Sequence, residues 1–346
     1  MLKTGHWTDN MNKNILSIDN LSVSFFSPQG EIEAVRNISL NLHKNEILAI
    51  VGESGSGKSV LCKTVMGLLP RQAQIKNGKI IVNDTDITHS TEKQKRQMRG
   101  KLFSIIFQDP LLSLNPVYSV GEQITETILV HQKISFTQAK EKAINLMKDV
   151  GIDFPHERFF LKPHCFSGGM LQRCVIASAI AQQPQILFAD EPTTALDTIT
   201  KIQILNLLKE LQKKLNISII FISHDLGTVA RIADRIAVMY AGKIIETGTV
   251  KDIFYHPAHP YTRELLLSQP IYAQKGKKLH TIPGEPPLLI NPPQGDIFSL
   301  RNKYALKIDY VQMPPFFKLS DTHSVASWLY DKRAPKNILP AWKNTQ

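Results

Sequence analysis

Eight consecutive residues, Gly52, Glu53, Ser54, Gly55, Ser56, Gly57, Lys58 and Ser59, constrain this chain more than any other stretch. They fit G-x-x-x-x-G-K-[ST] and follow the apolar run Ile47–Val51, which reads as a buried parallel strand. Glycines at 52, 55 and 57 let a backbone bend around an anion with its N–H groups turned inward. The helix expected over Val60–Leu69 adds its positive end. The stretch therefore reads as a phosphate cradle, with Lys58 against the β- and γ-phosphates and the Ser59 hydroxyl on Mg²⁺. Many unrelated activities use such a cradle, so other residues have to decide.

The 346 residues are enough for about two domains. No apolar run approaches the roughly 18 residues of a membrane span, the longest being Ile217–Ile222 and Ile186–Ala189. The first residues carry no apolar signal-peptide core, so the chain is expected to stay in the cytosol and to meet a membrane only from outside. Cys62, Cys165 and Cys174 are odd in number and lack C-x-x-C spacing, which suits a reducing compartment. A net charge of +11 fits a nucleic acid, an anionic membrane leaflet or a bound polyphosphate equally well. The basic clusters Lys93–Lys101 and Lys275–Lys278 read as solvated faces.

Leu16–Phe26 and Glu31–Leu42 alternate around Ser27-Pro28-Gln29-Gly30 and predict a hairpin that feeds the phosphate strand. Phe25 or Phe26, near the end of its first strand, offers a ring on which a base can stack, though a strand Phe is more often core. Gly78–Val82 and Leu102–Phe107 are strand-like, and the latter leads into Gln108-Asp109-Pro110. From Val120 to Gln182 the pattern turns helical, with Gly151 as a stop, and predicts a separate lobe. The lobe ends at Ser167-Gly168-Gly169, a helix start with exposed amides and a second candidate anion site.

Ile186–Ala189 then runs into Asp190 and Glu191, a strand ending in two carboxylates. Asp190 suits a Mg²⁺ held through water, and Glu191 suits a base polarising an attacking water. A helix over Thr198–Leu215 and the strand Ile217–Ile222 follow. His224 comes next, at the strand edge where open α/β sheets bind ligands and within reach of a γ-phosphate.

Taken in order, the aromatic strand, GESGSGKS, Gln108, FSGGM-x-QR, ILFADEP, TALD and SHD resemble the nucleotide-binding subunit of an ATP-binding cassette (ABC) transporter, over roughly residues 15–255. FQDPLLSLNP from Phe107, VGEQ from Val120, HPYTRELL from His259 and IPGEPP from Ile282 narrow the resemblance to dipeptide and oligopeptide permease ATPases, with nickel importers close by. Met170 stands where the commonest signature loop has Gln, a departure shared with those importers.

The resemblance implies an α/β P-loop NTPase with a mixed sheet core, an N-terminal antiparallel β subdomain and an inserted helical subdomain at about 110–183. The ATPase domain would span 15–256 and a C-terminal extension 257–346. It also implies ATP held by Phe25, residues Gly52 to Ser59 and Val60, and Mg²⁺ held by Ser59, Gln108 and Asp190. Glu191, His224, Gln108 and Lys58 become the catalytic set. Ser167, Gly168, Gly169 and Asp197 face ATP on an opposing subunit.

Implied partners are two transmembrane permease subunits, a second, non-identical ABC ATPase and, indirectly, an extracellular or periplasmic binding protein. The expected place is the cytoplasmic face of the inner membrane, as a peripheral subunit importing di- or oligopeptides. Nickel or a metal chelate is the alternative cargo. A non-transport ABC ATPase acting on nucleic acid has only the basic charge behind it.

Many relatives of this kind carry four cysteines in the extension that can hold an iron–sulfur cluster. Here those positions are Asp296, Asn302, Asp309 and Ser327. Such a cluster requires thiolates, so none is expected. A hard-metal site from Asp296, Asp309 and His323 is the weaker alternative.

Overall fold

The computed structural model describes residues 13–270, 280–287, 289–290, 292–335 and 338–342; Lys275–Lys278 lie outside them. Among the described residues twelve strands follow in chain order: β1 (Asn14–Ser27), β2 (Gly30–His43), β3 (Ile47–Val51), β4 (Ala73–Val82), β5 (Thr85–Asp86), β6 (Phe103–Ile106), β7 (Ile186–Asp190), β8 (Ser218–Ser223), β9 (Arg235–Tyr240), β10 (Lys243–Thr249), β11 (Phe316–Lys318) and β12 (Ser324–Ala326). They divide into two compact units. One holds the described parts of Met1–Ile15, Leu42–Ile47 and His89–Ile222; the other holds those of Leu16–Asn41, Leu48–Thr88 and Ser223–Gln346.

In the first unit β6, β7 and β8 pair in parallel. Every residue of β7 and β8 is buried, which is why both read as unbroken apolar runs rather than alternating ones. The helical lobe lies between β6 and β7 in sequence. Its helices Val120–His131 and Phe136–Asp149 each open with a capping box, Ser119 with Glu122 and Ser135 with Gln138. Gly168–Ile180 closes the lobe and buries most of its apolar residues, Leu171, Cys174, Val175 and Ile176 among them. Asp197 caps the long helix Thr198–Leu215.

In the second unit one sheet has the order β2-β1-β4-β5, with β1 and β4 antiparallel. The predicted hairpin is present, β1 and β2 being neighbours joined through Pro28 and Gln29. A mixed set of strands holds β3 parallel to β9, β9 antiparallel to β10, β10 to β12, and β12 to β11. The chain beyond residue 257 thus adds two strands to those of the nucleotide core. Tyr240 of β9, Tyr261 and Phe298 stack against one another with ring centroids 4.5 to 5.4 Å apart.

The helix after the phosphate loop runs Lys58–Val65, four residues shorter at its C-terminal end than the pattern predicts. Gly67 takes φ 64°, its N–H donates to the Thr64 carbonyl at 3.0 Å, and the Leu68 N–H donates to Lys63 at 2.7 Å. This six-to-one closure satisfies the last carbonyls and stops the helix although the apolar residues Leu68 and Leu69 continue.

Candidate functional site

Residues 52–59 join β3 to the helix Lys58–Val65. The backbone there excludes side chains. A Cβ on Gly52, at φ 155°, would sit 2.0 Å from the Met239 carbonyl oxygen, and one on Gly57, at φ 100°, would sit 2.4 Å from that of Ala34. A Cβ on Gly55 would meet open space, at the exposed tip beside Ser54. Lys58 is buried, and its Nζ donates to the Gly52 carbonyl at 2.9 Å, the Glu53 carbonyl at 2.8 Å and Ser56 Oγ at 3.3 Å. Ser56 is buried, and Ser59 and Val60 are half-buried at the helix start. A cationic head folded into a glycine-rich loop, with open space at its tip, fits a polyphosphate.

In the same unit, Phe25 is half-buried opposite Ala73 in the register of β1 and β4. Its neighbour Phe26 is exposed, with Lys76 Nζ 5.1 Å from its ring centroid. His224 is exposed immediately after β8, and the following Asp225 caps the helix Leu226–Ile232 through the Thr228 N–H at 3.2 Å.

The carboxylates belong to the other unit. Asp190 is the last residue of β7 and is buried; Glu191 follows at φ 50°. Left-handed backbone is uncommon for a Glu and persists where surrounding bonds hold it. The Glu191 N–H donates to the Ile222 carbonyl at 3.0 Å. Its Oε2 accepts from Thr194 Oγ1 at 2.9 Å and from Gln108 Nε2 at 3.3 Å. Gln108 and Glu191, 83 residues apart in sequence, are thus brought together. Thr194 has no role in the sequence motifs, although a Thr three residues after an acid is an ordinary hydrogen-bonding spacing.

Ser167 is exposed and accepts from the Met170 N–H at 3.4 Å, capping the helix Gly168–Ile180. Gly168 is exposed, and a Cβ on Gly169 would lie 2.4 Å from Thr200 Cγ2. Only glycine lets these two helix starts approach so closely. Asp197 accepts from the Ile199 and Thr200 N–H groups at 3.0 Å each, and its hydrogen bonds, that from the Thr200 side chain first, hold its carboxyl below the usual range.

In the extension, Asp296, Asn302, Asp309 and Ser327 are all buried. Each accepts a nearby backbone N–H: Asp296 from Phe298 at 3.1 Å, Asn302 from Tyr304 at 2.9 Å, Asp309 from Leu306 at 2.6 Å and Ser327 from Leu329 at 3.4 Å. Each closes a local turn. Burial pushes the Asp296 carboxyl up to about 7, and pushes that of Asp309 up as well. His323 does not join the two carboxylates: its Nε2 lies 2.8 Å from Glu246 Oε1, a fully buried group that also accepts the Ala258 N–H at 2.7 Å. Among the described residues no group of three or more His, Cys, Asp or Glu is arranged to hold a metal.

The chain has counterparts among solved proteins. The dimeric structure of MJ0796, described as a bacterial ABC transporter cassette, matches with a TM-score of 0.61 at 26% identity, over 68% of this chain and 98% of that one. The fold is that of an ABC ATPase. Residues 35–194 match the ABC transporter family, and residues 245–308 match the oligopeptide/dipeptide transporter C-terminal region.

Over 93% of its length the chain is 53% identical to the oligopeptide transport ATP-binding protein OppD of Bacillus subtilis, covering 90% of that protein. It is 48% identical to the dipeptide transport ATP-binding protein DppD of Lactococcus lactis, over 96% of this chain and 97% of that one. The chain belongs to the ABC transporter family, among its oligopeptide and dipeptide ATP-binding proteins, and it is an ATP-hydrolysing subunit.

Proposed function

We propose that this chain drives the import of di- or oligopeptides, closing on ATP with a second, non-identical ABC ATPase and moving two transmembrane permease subunits that a binding protein supplies from outside. One observation carries the cargo: similarity to named peptide-transport subunits runs through the nucleotide core and on into the extension. Its likeness to named transport ATP-binding proteins supports a peripheral position on the cytoplasmic face of the inner membrane, held by the permeases; no helix among the described residues is long and apolar enough to cross a membrane.

Phe25 stacks on the adenine, and the loop Gly52 to Ser59, with Lys58 and Val60, takes the phosphates. Ser59, Asp190 and Gln108 would hold Mg²⁺, which would neutralise phosphate charge. Glu191 polarises the attacking water, oriented by Thr194 and Gln108, and His224 meets the γ-phosphate. Ser167, Gly168 and Gly169, with Asp197, cap the ATP seated on the partner ATPase, where helix-start amides add to the stabilisation of its phosphates.

The test is co-purification from detergent extracts followed by peptide uptake into vesicles. The chain is expected to bring down two permeases and a second ATPase, and uptake of labelled peptide is expected to stop when ATP is withheld. Recovery of the chain with nucleic acid and no membrane subunit, or with permeases that carry nickel and not peptide, would overturn the proposal.

A further inference from the structure

Glu53, the second residue of the phosphate loop, is held by the C-terminal extension. The Arg301 guanidinium meets its carboxylate with two prongs, Nη1 to Oε2 at 2.8 Å and Nη2 to Oε1 at 3.1 Å. Nη1 also donates to the Tyr240 hydroxyl at 3.0 Å, and Nε donates to the Pro283 carbonyl at 2.7 Å, within the IPGEPP stretch. Its Cζ lies 5.7 Å and 5.9 Å from the ring centroids of Tyr240 and Phe298.

The Arg301 side chain is 6% exposed and that of Glu53 23%. Burial works against the Arg301 charge, but the hydrogen bonds it donates to Glu53 and Tyr240 raise its pKa above the usual value. The Glu53 N–H donates to the Tyr261 hydroxyl at 2.9 Å, and the Glu53 carbonyl accepts from Lys58 Nζ. All three polar handles of this loop residue are therefore occupied, two of them by side chains from beyond residue 257.

A carboxylate on a loop built for polyphosphate works against its ligand. A bidentate guanidinium is the side chain best shaped to cancel that charge while fixing where the carboxylate points. We propose that Arg301 and Tyr261 are positioning residues for the phosphate loop, Arg301 by neutralising Glu53 and Tyr261 by fixing its backbone, so that nucleotide affinity depends on how the extension is seated. This inference rests on the assignment of residues 52–59 as the ATP site and gives the extension a task there that needs no cluster.

The test uses the full chain and MgADP in isothermal titration, with thermal melting of each preparation. Arg301→Gln is expected to weaken ADP binding about tenfold, the scale of one uncompensated charge near a polyphosphate. Adding Glu53→Gln to the same chain is expected to restore affinity to within about threefold of the parent, a rescue that a purely structural role for Arg301 does not give. Should Arg301→Gln fail to fold, Tyr261→Phe carries the test, with an expected weakening of about threefold. ADP bound as tightly by folded Arg301→Gln as by the parent, no rescue by the second substitution, or an unaltered Tyr261→Phe where it stands in would overturn the inference alone. A parent that takes no ADP would overturn the nucleotide site and the inference together.

Discussion

The Gln108 side-chain amide donates to the Glu191 carboxylate across 3.3 Å, joining the segment that enters the helical lobe to the residue that follows β7. With the Thr194 hydroxyl on the same oxygen and the backbone at φ 50°, the carboxylate is oriented from more than one side. A carboxylate held in this way has little freedom to lose in the role proposed for it.

Replacing Glu191, the proposed base, by glutamine keeps the shape of the side chain and removes its charge. Glu191→Gln is expected to lower ATP turnover of the assembled complex by about 10² to 10⁴ while ATP still binds. Phosphate release and nucleotide retention, measured side by side, check this. Turnover equal to the parent's would remove Glu191 from the catalytic set.

Thr194→Ala takes away the hydrogen bond that Thr194 Oγ1 donates to Glu191 Oε2 beside that of Gln108. A hydrogen bond to a charged group is worth about 1.5 kcal/mol, so turnover is expected to fall about tenfold with the KM for ATP nearly unchanged. A raised KM at full turnover would assign Thr194 to binding instead.

Much of this site is legible in the sequence because each part is set by local rules: glycines where the backbone turns around an anion, Ser167 and Asp197 as helix caps, and carboxylates at the end of an apolar strand. The parts that stay hidden are tertiary. Glu53 and Arg301 are 248 residues apart, and no spacing rule pairs a loop acid with an arginine in a proline-rich extension. Thr194 was in plain view but gains meaning only once Glu191 turns left-handed. The end of the helix at Val65 was legible in principle, since Gly67 before Leu68 and Leu69 is a stop signal that apolar continuity masks. The four extension positions show the converse: their side-chain types argue against thiolate ligation, while their use as buried turn caps emerges only from the fold.

Asp296 makes stability depend on pH in a defined direction. The unfolded carboxyl ionises near its ordinary value, whereas burial, with Asp309 nearby, holds the folded group at about 7; the Lys243 charge opposes the rise. Between those values the folded chain keeps a proton that the unfolded chain has released, so this group's contribution to stability falls as pH rises through the window. Asp296→Asn retains an oxygen for the Phe298 N–H and removes the titration. Its melting temperature is expected to gain on the parent's by several degrees between pH 5 and pH 8. Parallel melting profiles would contradict this.

The three thiols differ in access. Cys165 is exposed, whereas Cys62 and Cys174 are buried, and burial pushes the Cys174 thiol up to about 12. The thiolate is the reactive form, so maleimide is expected to label one thiol in the native chain and three after denaturation, counted by mass. Prompt labelling of Cys174 under native conditions would show that the helix Gly168–Ile180 is not packed as described.

In the proposed mechanism ATP is clasped between two polypeptides, each contributing part of the pocket. Its most direct measurement is disulfide crosslinking between a cysteine replacing Ser167 and a cysteine placed in the phosphate loop of the partner ATPase, in complexes carrying Glu191→Gln. The account predicts a crosslink that forms with ATP and fades when nucleotide is removed. No crosslink with ATP bound and turnover blocked would contradict it.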